Sequence, residues 1–233
     1  MQLIYQHADF IVVNKPAGMS FHGQTDEAGL FSEGVVDLAA RAFGYKKLWP
    51  VHRLDTMTSG LLILATHVQA AAEFGALFAN RMVAKYYLAL SHKTPKKKQG
   101  WIKGDMVAAR RGSYKLLPSL EQPAITQFHS TSLEPGLRLF LLKPHTGKTH
   151  QLRVALKSLG SPIIGDLRYQ ATEVAADFDR GYLHAYGLRF LWHKDWIEIC
   201  QAPGEGSLFQ QANLHRQLAQ WGPPWQVFES KGA

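Results

Sequence analysis

The chain reads His52-Arg53-Leu54-Asp55-Thr56-Met57-Thr58-Ser59-Gly60 directly before the apolar run Leu61-Leu62-Ile63-Leu64. A run of this length is typical of a strand that is covered on both faces. Because a buried strand holds the turn that precedes it, we expect Asp55 to occupy a fixed position. Thr58-Ser59-Gly60 by itself fits an ordinary turn, in which polar side chains bond the backbone and glycine takes a positive φ. The whole stretch predicts a rigid carboxylate site ahead of a central strand.

The stretch resembles the central motif of the RluA-type pseudouridine synthases, His-Arg-Leu-Asp-x-x-Thr-Ser-Gly, at every fixed position. Other motifs of that family follow in the family's order. They are the opening strand and Lys-Pro-x-Gly turn at 9–19, Lys-x-Tyr-x-Ala at 85–89, a match to Gly-Arg-Thr-His-Gln-Ile-Arg-Val at 147–154, Gly165-Asp166 with Tyr169, and Leu183-His184-Ala185. Chance is a poor explanation for ordered matches that run from residue 9 to about residue 185.

The resemblance implies the pseudouridine synthase fold, an α+β architecture with a mainly antiparallel mixed sheet, flanking helices and a basic central cleft. The hydrophobic pattern favours the same class, because strand-like runs outnumber helices and do not alternate with them regularly. We expect strands at 10–13, 61–64, 86–90, 125–128, 137–142, 188–191 and 196–199. We expect helices after a capping box at Thr66, over 149–159 and over 208–218.

We expect one catalytic domain over residues 1–233. Relatives often carry an N-terminal RNA-binding domain of the S4 type, but the first motif begins within ten residues of Met1, so none is expected here. The segment 91–122 concentrates positive charge at 96–98 and 110–111 in poorly periodic sequence, which predicts a basic, loop-rich insertion. Trp49, Trp101 and Tyr114 near these charges either stack on unpaired bases or pack internally.

The composition favours a polyanionic partner, since 26 Lys and Arg outnumber 18 Asp and Glu. The single cysteine, Cys200, excludes an internal disulfide and suits a reducing compartment, and we expect it to be buried on a strand. No signal peptide pattern and no run long enough to span a bilayer is present. We therefore expect a cytoplasmic monomer that binds RNA and no membrane.

The reaction implied by the resemblance breaks the bond between ribose C1′ and uracil N1 and joins C1′ to C5. Hydrolytic glycosidases use two carboxylates, whereas an isomerase needs one, because the leaving uracil returns as the nucleophile. The resemblance implies Asp55 as that carboxylate, Tyr87 against the uracil ring and Arg153 orienting Asp55 through bidentate donors. Tyr87 alone also fits a core tyrosine. Whether the aspartate attacks C1′, attacks C6 or assists elimination stays open.

The resemblance also implies six RNA-binding residues, which are Arg53, His52, Lys85, Lys148, His150 and Leu152. Arg53 is expected to occupy the space that the flipped uridine vacates; the alternative is a surface arginine paired with a carboxylate. His52 is expected to buttress the turn through hydrogen bonds. Leu152 fits the apolar floor of the pocket and equally a helix core. The RNA is either ribosomal large-subunit RNA or transfer RNA, recognised at a stem-loop.

Two departures from the family pattern are Lys148, where arginine is common, and Ala155, where a second histidine often follows. Lysine keeps the charge but loses bidentate geometry. A nucleotide-binding loop around Gly147 is rejected, because Leu142 stands where that motif needs glycine. We expect no cofactor and no metal. The alternatives are a non-catalytic RNA-binding or RNA-chaperone protein that uses the same cleft and, more remotely, a hydrolytic N-glycosidase.

Overall fold

The computed structural model describes residues 1–25 and 31–229, and thirteen strands lie in that part of the chain. They are β1 (Gln2–Gln6), β2 (Phe10–Lys15), β3 (Gln24–Thr25), β4 (Phe31–Ser32), β5 (Trp49–Pro50), β6 (Ser59–Ala65), β7 (Ala84–Ser91), β8 (Gln99–Ala108), β9 (Tyr114–Leu117), β10 (Ala124–Glu134), β11 (Leu137–Pro144), β12 (Leu183–Trp192) and β13 (Asp195–Cys200). Eleven of these form one sheet, in which nine follow the order β1-β2-β6-β12-β7-β11-β10-β8-β9. Strands β5 and β13 pair with β6 and β12, and β3 pairs with β4 separately.

Six α-helices flank the sheet. They are α1 (Val35–Ala42), α2 (Val68–Ala79), α3 (Gln151–Ser158), α4 (Thr172–Ala176), α5 (Ala212–Trp221) and α6 (Pro224–Glu229). Short 3-10 turns cover Arg110–Gly112 and Ser207–Gln210. In the described residues no helix combines the length and the apolar character that crossing a membrane requires.

The sheet confirms the predicted α+β class with a mixed, mainly antiparallel sheet. Each of the seven predicted strand segments lies within an observed strand. Among the described strands, the parallel pairing is that of β6 with β12, where Ser59 and Gly60 face His184 and Ala185. This junction joins the motif at 52–60 to the motif at 183–185 in the middle of the sheet.

The sheet separates two apolar cores because side chains alternate across it. In β6, Leu62 and Leu64 enter the larger core, and Leu61 and Ile63 enter the smaller core beneath α2. All seven residues of β6 are buried, as its apolar run predicted. Burial of each such side chain contributes roughly 1.5–3 kcal/mol, so the strand is a rigid support for the turn before it.

Three helix predictions were right in place but wrong in their boundaries. Helix α2 is capped by His67, whose Nδ1 accepts from the Ala70 N–H at 3.2 Å, whereas the Thr66 hydroxyl donates to the Ala8 carbonyl instead. Helix α3 starts at Gln151 because His150 has a left-handed backbone, with φ of 57°. The helix predicted over 208–218 is interrupted by the extended residue Gln211, which separates a 3-10 turn from α5.

The prediction of a loop-rich segment over 91–122 was wrong, because the segment contains β8 and β9. Strand β8 bonds to β10 on one side and β9 on the other, at the edge of the sheet. Edge strands expose much of their surface, so their sequences stay polar and weakly periodic. Cys200 was also wrongly expected to be buried: it is exposed, because Ile197 and Ile199 take the inward positions of β13.

Candidate active site

The Lys15 side chain supports the turn that carries Asp55. Its side chain is completely buried, and Nζ donates to the carbonyls of Pro16 at 2.9 Å, Thr56 at 3.2 Å and Thr58 at 2.9 Å. Burial lowers the pKa of Lys15 to about 8. The sequence placed Lys15 in a Lys-Pro-x-Gly turn without giving it a role. Two of its carbonyl contacts fix the backbone directly after Asp55, at Thr56 and Thr58, and the third ties that turn to Pro16.

The end of the turn is fixed to β12 by close backbone packing. Gly60 has φ of +108°, and a Cβ there would lie 2.3 Å from the Ala185 carbonyl oxygen, so only glycine fits. Next to it, the buried Ser59 hydroxyl accepts from Arg180 Nη2 at 2.7 Å and lies 2.7 Å from His184 Nδ1. The Thr-Ser-Gly part of the motif therefore anchors the turn to the neighbouring strand.

Asp55, Arg153 and Asp166 form a chain of ion pairs that is buried at Arg153 and Asp166 and partly exposed at Asp55. Arg153 Nε and Nη2 each donate to Asp166 at 2.8 Å, and Nη1 donates to Asp55 Oδ2 at 3.2 Å. Asp166 is completely buried and its Oδ1 also accepts backbone N–H groups of Arg168 and Tyr169. Burial opposes the charge of Arg153, but the two carboxylates outweigh it and raise its pKa above the ordinary value.

The geometry corrects one expectation about Arg153. Its bidentate donors grip Asp166, and Asp55 receives a single hydrogen bond. Asp166 appeared in the sequence only as part of a matched Gly-Asp pair, and Gly165 explains that pair, because a Cβ there would lie 1.9 Å from the Arg180 carbonyl oxygen. The contacts with Asp166 thus fix the Arg153 guanidinium independently of Asp55. Within the described residues no hydrogen bond occupies Asp55 Oδ1.

Tyr87 lies on β7, and 8% of it is exposed. Burial, with the charge of Asp55 adding to it, raises the pKa of the Tyr87 hydroxyl well above its ordinary value. The hydroxyl therefore stays protonated at neutral pH and can donate but not act as a base. Leu152, which is 7% exposed, lines the cleft and also packs in the larger core.

A single cleft of about 1160 Å³ brings all nine predicted site residues together: Asp55, Tyr87, Arg153, Arg53, His52, Lys85, Lys148, His150 and Leu152. Its lining is strongly basic. The Lys and Arg side chains are Arg53, Arg81, Lys85, Lys143, Lys148, Arg153 and Arg189, against the carboxylates Asp55 and Glu229. A site of this charge favours phosphate groups. The basic residues at 96–98 and 110–111, and Trp49, Trp101 and Tyr114, do not line it.

Arg53 and His52, adjacent in sequence, occupy different environments. Arg53 is exposed, its guanidinium carbon lies 5.8 Å from the Phe21 ring centroid, and no ion pair joins it to a carboxylate of residues 1–25 or 31–229. The His52 ring accepts the Ile63 N–H at its Nε2, at 2.9 Å, and so ties the turn to β6. Arg53 is available to a ligand, whereas His52 supports the turn as well as lining the cleft.

The loop before α3 forms the opposite wall of the cleft, and Gln151 organises it. Gln151 Nε2 donates to the Ile125 carbonyl at 3.0 Å, and its Oε1 accepts from the Thr146 hydroxyl at 2.7 Å and the Lys148 N–H at 3.1 Å. His150 Nδ1 lies 2.9 Å from the Tyr169 hydroxyl. Sequence reasoning missed Gln151, although its place in a matched motif was the available signal.

Two histidines of the support structure, the buried His184 and the partly buried His52, are held in the uncharged form. Burial lowers the pKa of His52 to about 3 and that of His184 to about 4. His52 uses Nε2 as an acceptor, and His184 lies between the Ser59 hydroxyl and the Gln201 carbonyl oxygen. A proton on either ring must therefore displace a hydrogen bond or enter a dry environment.

We expect the protein to lose stability on acidification. The pKa of each ring is lowered on folding, so its contribution is complete above about pH 6.5 and falls by about 1.4 kcal/mol per pH unit below it, until the folded pKa is reached. Urea denaturation near neutral pH and near pH 5 measures this loss. His184→Gln should reduce the slope, and His215→Gln, at an exposed helix position, is the matched control. Equal stability at both pH values would contradict the assignment.

Comparisons with known proteins show which family this chain resembles in sequence. A family model described as RNA pseudouridylate synthase matches residues 9–158. A Haemophilus influenzae protein named as an uncharacterized RNA pseudouridine synthase is 49% identical over 219 residues, which is 94% of each chain. Ribosomal large subunit pseudouridine synthase C of Rickettsia conorii is 34% identical over 192 residues, 78% of this chain and 61% of that protein. The chain thus matches about three fifths of the length of that relative.

Solved structures give the same result. The human protein RNA pseudouridylate synthase domain containing 1 superposes with a TM-score of 0.71 at 25% identity, covering 95% of each chain. The human domain containing 4 protein superposes with a TM-score of 0.70 at 26% identity, covering 92% of each. The similarity extends over nearly the whole chain.

Proposed function

This chain belongs to the RNA pseudouridylate synthase family, and from that membership we propose that it isomerises uridine to pseudouridine in structured RNA with Asp55 as the catalytic carboxylate. The observation that carries this assignment is the Asp55 carboxylate at a basic cleft, with one oxygen bonded to a locked Arg153 and the other without a hydrogen bond from residues 1–25 or 31–229. A carboxylate so placed reaches the sugar or the base without first giving up its cation.

The cleft suits an isomerase better than a hydrolase. A hydrolytic glycosidase pairs two carboxylates across the scissile bond. Here the second carboxylate of the cleft, Glu229, is bonded to Arg189 and not to the Asp55 network. Asp55 acts on a nucleoside whose uracil detaches from C1′ at N1 and reattaches at C5; C5 then loses its proton and N1 takes one up. No water is consumed, so the atoms of substrate and product balance.

Tyr87 is proposed to hold the uracil ring and to donate a hydrogen bond during its rotation. We expect Tyr87→Phe to lower kcat by about 10²-fold, at the lower end of the effect of losing a general acid or base. The ring remains, so KM should change little. Tyr87→Leu removes the ring too and should raise KM as well. Single-turnover kinetics on a modified RNA separate the two effects, and equal behaviour of both variants would contradict a role for the hydroxyl.

Arg53 is proposed to enter the stack when the target uridine leaves it. Extrusion costs roughly a few kcal/mol, and a side chain that occupies the gap offsets part of that cost. Arg53 is suited to this because it is exposed at the cleft and has no carboxylate partner in the described ranges. Lys85, Lys148 and His150 line the same cleft and are proposed to contact the RNA backbone.

The proposed target is ribosomal large-subunit RNA, which the names of several relatives specify for those proteins. Transfer RNA is the competing target. For either substrate, we propose a cytoplasmic location. The basic cleft supports a structured RNA, since phosphates on several strands can meet its Lys and Arg side chains other than the ion-paired Arg153 and Arg189.

Pseudouridine mapping across all RNA tests activity and target together. A strain that lacks this chain should lose a specific site, and wild type should restore it while Asp55→Ala should not. The position of the lost site decides between ribosomal and transfer RNA. If Asp55→Ala restored the site, the catalytic assignment would fail, and if no site were lost while RNA binding persisted, the non-catalytic RNA-binding alternative would replace it.

A further inference from the structure

We propose that the end of the cleft remote from Asp55 binds an unpaired RNA nucleotide, whose base stacks on Trp196. This inference rests on the proposed function, because it takes RNA as the occupant of the cleft. Trp196 and the guanidinium of Arg189 behind it are called the stacking platform. Neither residue belongs to the motifs that identify the catalytic centre.

Trp196 is a large aromatic side chain held in an exposed position. It is 61% exposed and lines the cleft. The Arg189 guanidinium carbon lies 4.9 Å from its ring centroid, so the cation supports one side of the ring. Most of the residue thus remains open to solvent where it lines the cleft. An open indole beside a basic groove is the arrangement that proteins use to stack unpaired bases.

Arg189 is fixed by ion pairs, so the platform is rigid before any ligand arrives. Its Nε lies 2.8 Å from Glu198 Oε1, and Nη1 pairs with Glu229 on α6. These carboxylates compensate the charge of Arg189. Its guanidinium therefore supports the Trp196 ring as a flat group and adds little positive charge to attract a phosphate. A fixed aromatic surface loses little conformational entropy on binding. The platform is thus better suited to a flat base than to a phosphate.

The charges that favour RNA lie between Asp55 and the platform. Lys85 and Lys143 line this part of the cleft, and Arg81 lies at its rim. Lys143 Nζ is 5.6 Å from the Tyr86 ring centroid, and Lys85 Nζ is 5.3 Å from that of Phe78. An RNA strand that runs from Asp55 to Trp196 passes these three cations, and its phosphates can pair with them.

The platform is too far from Asp55 to hold the target uridine itself. Tyr87 pairs with Ala185 across β7 and β12, and Arg189 pairs with Ala84 four positions further along. At about 3.3 Å per residue, the platform lies on the order of 15 Å from the Tyr87 level. It therefore receives a nucleotide that flanks the target, and that nucleotide must be unpaired for its base to stack.

Binding of a single-stranded oligouridylate tests the platform. Trp196→Leu should weaken binding about tenfold, within the range measured for losing one base-aromatic stack, and Trp196→Phe should stay within about twofold. Trp101→Leu is the matched control, because Trp101 is 51% exposed but does not line the cleft. The dependence of affinity on salt should be unchanged in Trp196→Leu, since stacking releases no counterions.

Tryptophan fluorescence and duplex binding are two further tests of the stacking platform. The oligouridylate should quench more tryptophan fluorescence in the wild type than in Trp196→Phe, a comparison that does not depend on Trp196→Leu being folded. A blunt RNA duplex should bind both Trp196 variants and the wild type equally. The platform is wrong if wild type and Trp196→Leu bind the oligouridylate with equal affinity, or if quenching is equal in wild type and Trp196→Phe. It is also wrong if the wild type does not bind the oligouridylate.

Pseudouridine formation by the wild type on extracted RNA is measured in parallel. If the wild type makes pseudouridine but Trp196 has no effect on oligouridylate binding, the platform is wrong and the proposed function stands. If no pseudouridine forms but the Trp196 dependence is present, the platform stands as an RNA-binding site and the catalytic proposal fails.

Discussion

Asp55→Asn should abolish pseudouridine formation, lowering kcat by at least about 10⁴-fold, as when the group that acts on substrate is removed from a catalytic unit. Asparagine keeps the size of the side chain but not the negative charge that faces the nucleoside. Arg153 remains gripped by Asp166, so no buried charge loses its partner. The free energy of unfolding should therefore change by less than about 1 kcal/mol, the size of one partly exposed ion pair.

Single-turnover formation of pseudouridine in the mapped RNA measures the effect, and RNA affinity is measured on the same variant. Affinity should be retained, because Asp55 does not contribute to phosphate binding. Asp195→Asn, at an exposed strand position, is the matched control and should leave both quantities unchanged. A variant Asp55→Asn with more than a few per cent of the wild-type rate would disprove the carboxylate mechanism.

Arg153→Met should have the second largest effect, and it should act on stability and activity together. It leaves Asp166 completely buried without a cation, a change that costs about 3–5 kcal/mol when one partner of a buried pair is lost. It also leaves Asp55 without its orienting donor, so kcat should fall by at least about 10²-fold, the scale of losing one preorganised electrostatic contact. Urea denaturation and single-turnover kinetics measure the two losses separately.

A second substitution separates the two roles of Arg153. Asp166→Asn added to Arg153→Met removes the uncompensated charge and still offers an oxygen to the backbone N–H groups of Arg168 and Tyr169. The double variant should recover most of the lost stability, since replacing both partners of a buried pair is often neutral. It should not recover activity. Recovery of activity would show that Arg153 acts only through folding.

Much of the site was predictable because its chemistry is concentrated in short motifs. The turn at 52–60 predicted a fixed carboxylate, and β6 behind it was evident from four consecutive apolar residues. The link from Asp55 to Arg153 crosses 98 positions of sequence, so only the family resemblance indicated it. Local patterns contain no information about contacts at that separation, which depend on the order of strands in the sheet.

What the sequence did not predict depends on competition between neighbours in space. The Arg153 guanidinium can make one bidentate contact, and two carboxylates lie within its reach. Asp166 receives that contact because its position is completely buried. His67 and not Thr66 caps α2, because the Thr66 hydroxyl finds the Ala8 carbonyl first. Trp196 looked like an ordinary strand residue, and its exposure follows from the two isoleucines that take the inward positions of β13.

The parallel junction of β6 with β12 determines when during folding the catalytic turn becomes rigid. Strand β12 lies between β6 and β7, although it begins 118 positions after the end of β6 and 92 after the end of β7, and the Ser59–His184 contact closes a loop of 125 positions. Closing so long a loop costs chain entropy that local contacts cannot offset in advance. A nascent chain that already contains Asp55 and Arg153 still lacks β12, the strand that lies between β6 and β7. The catalytic turn therefore becomes rigid late in synthesis, when β12 joins the sheet.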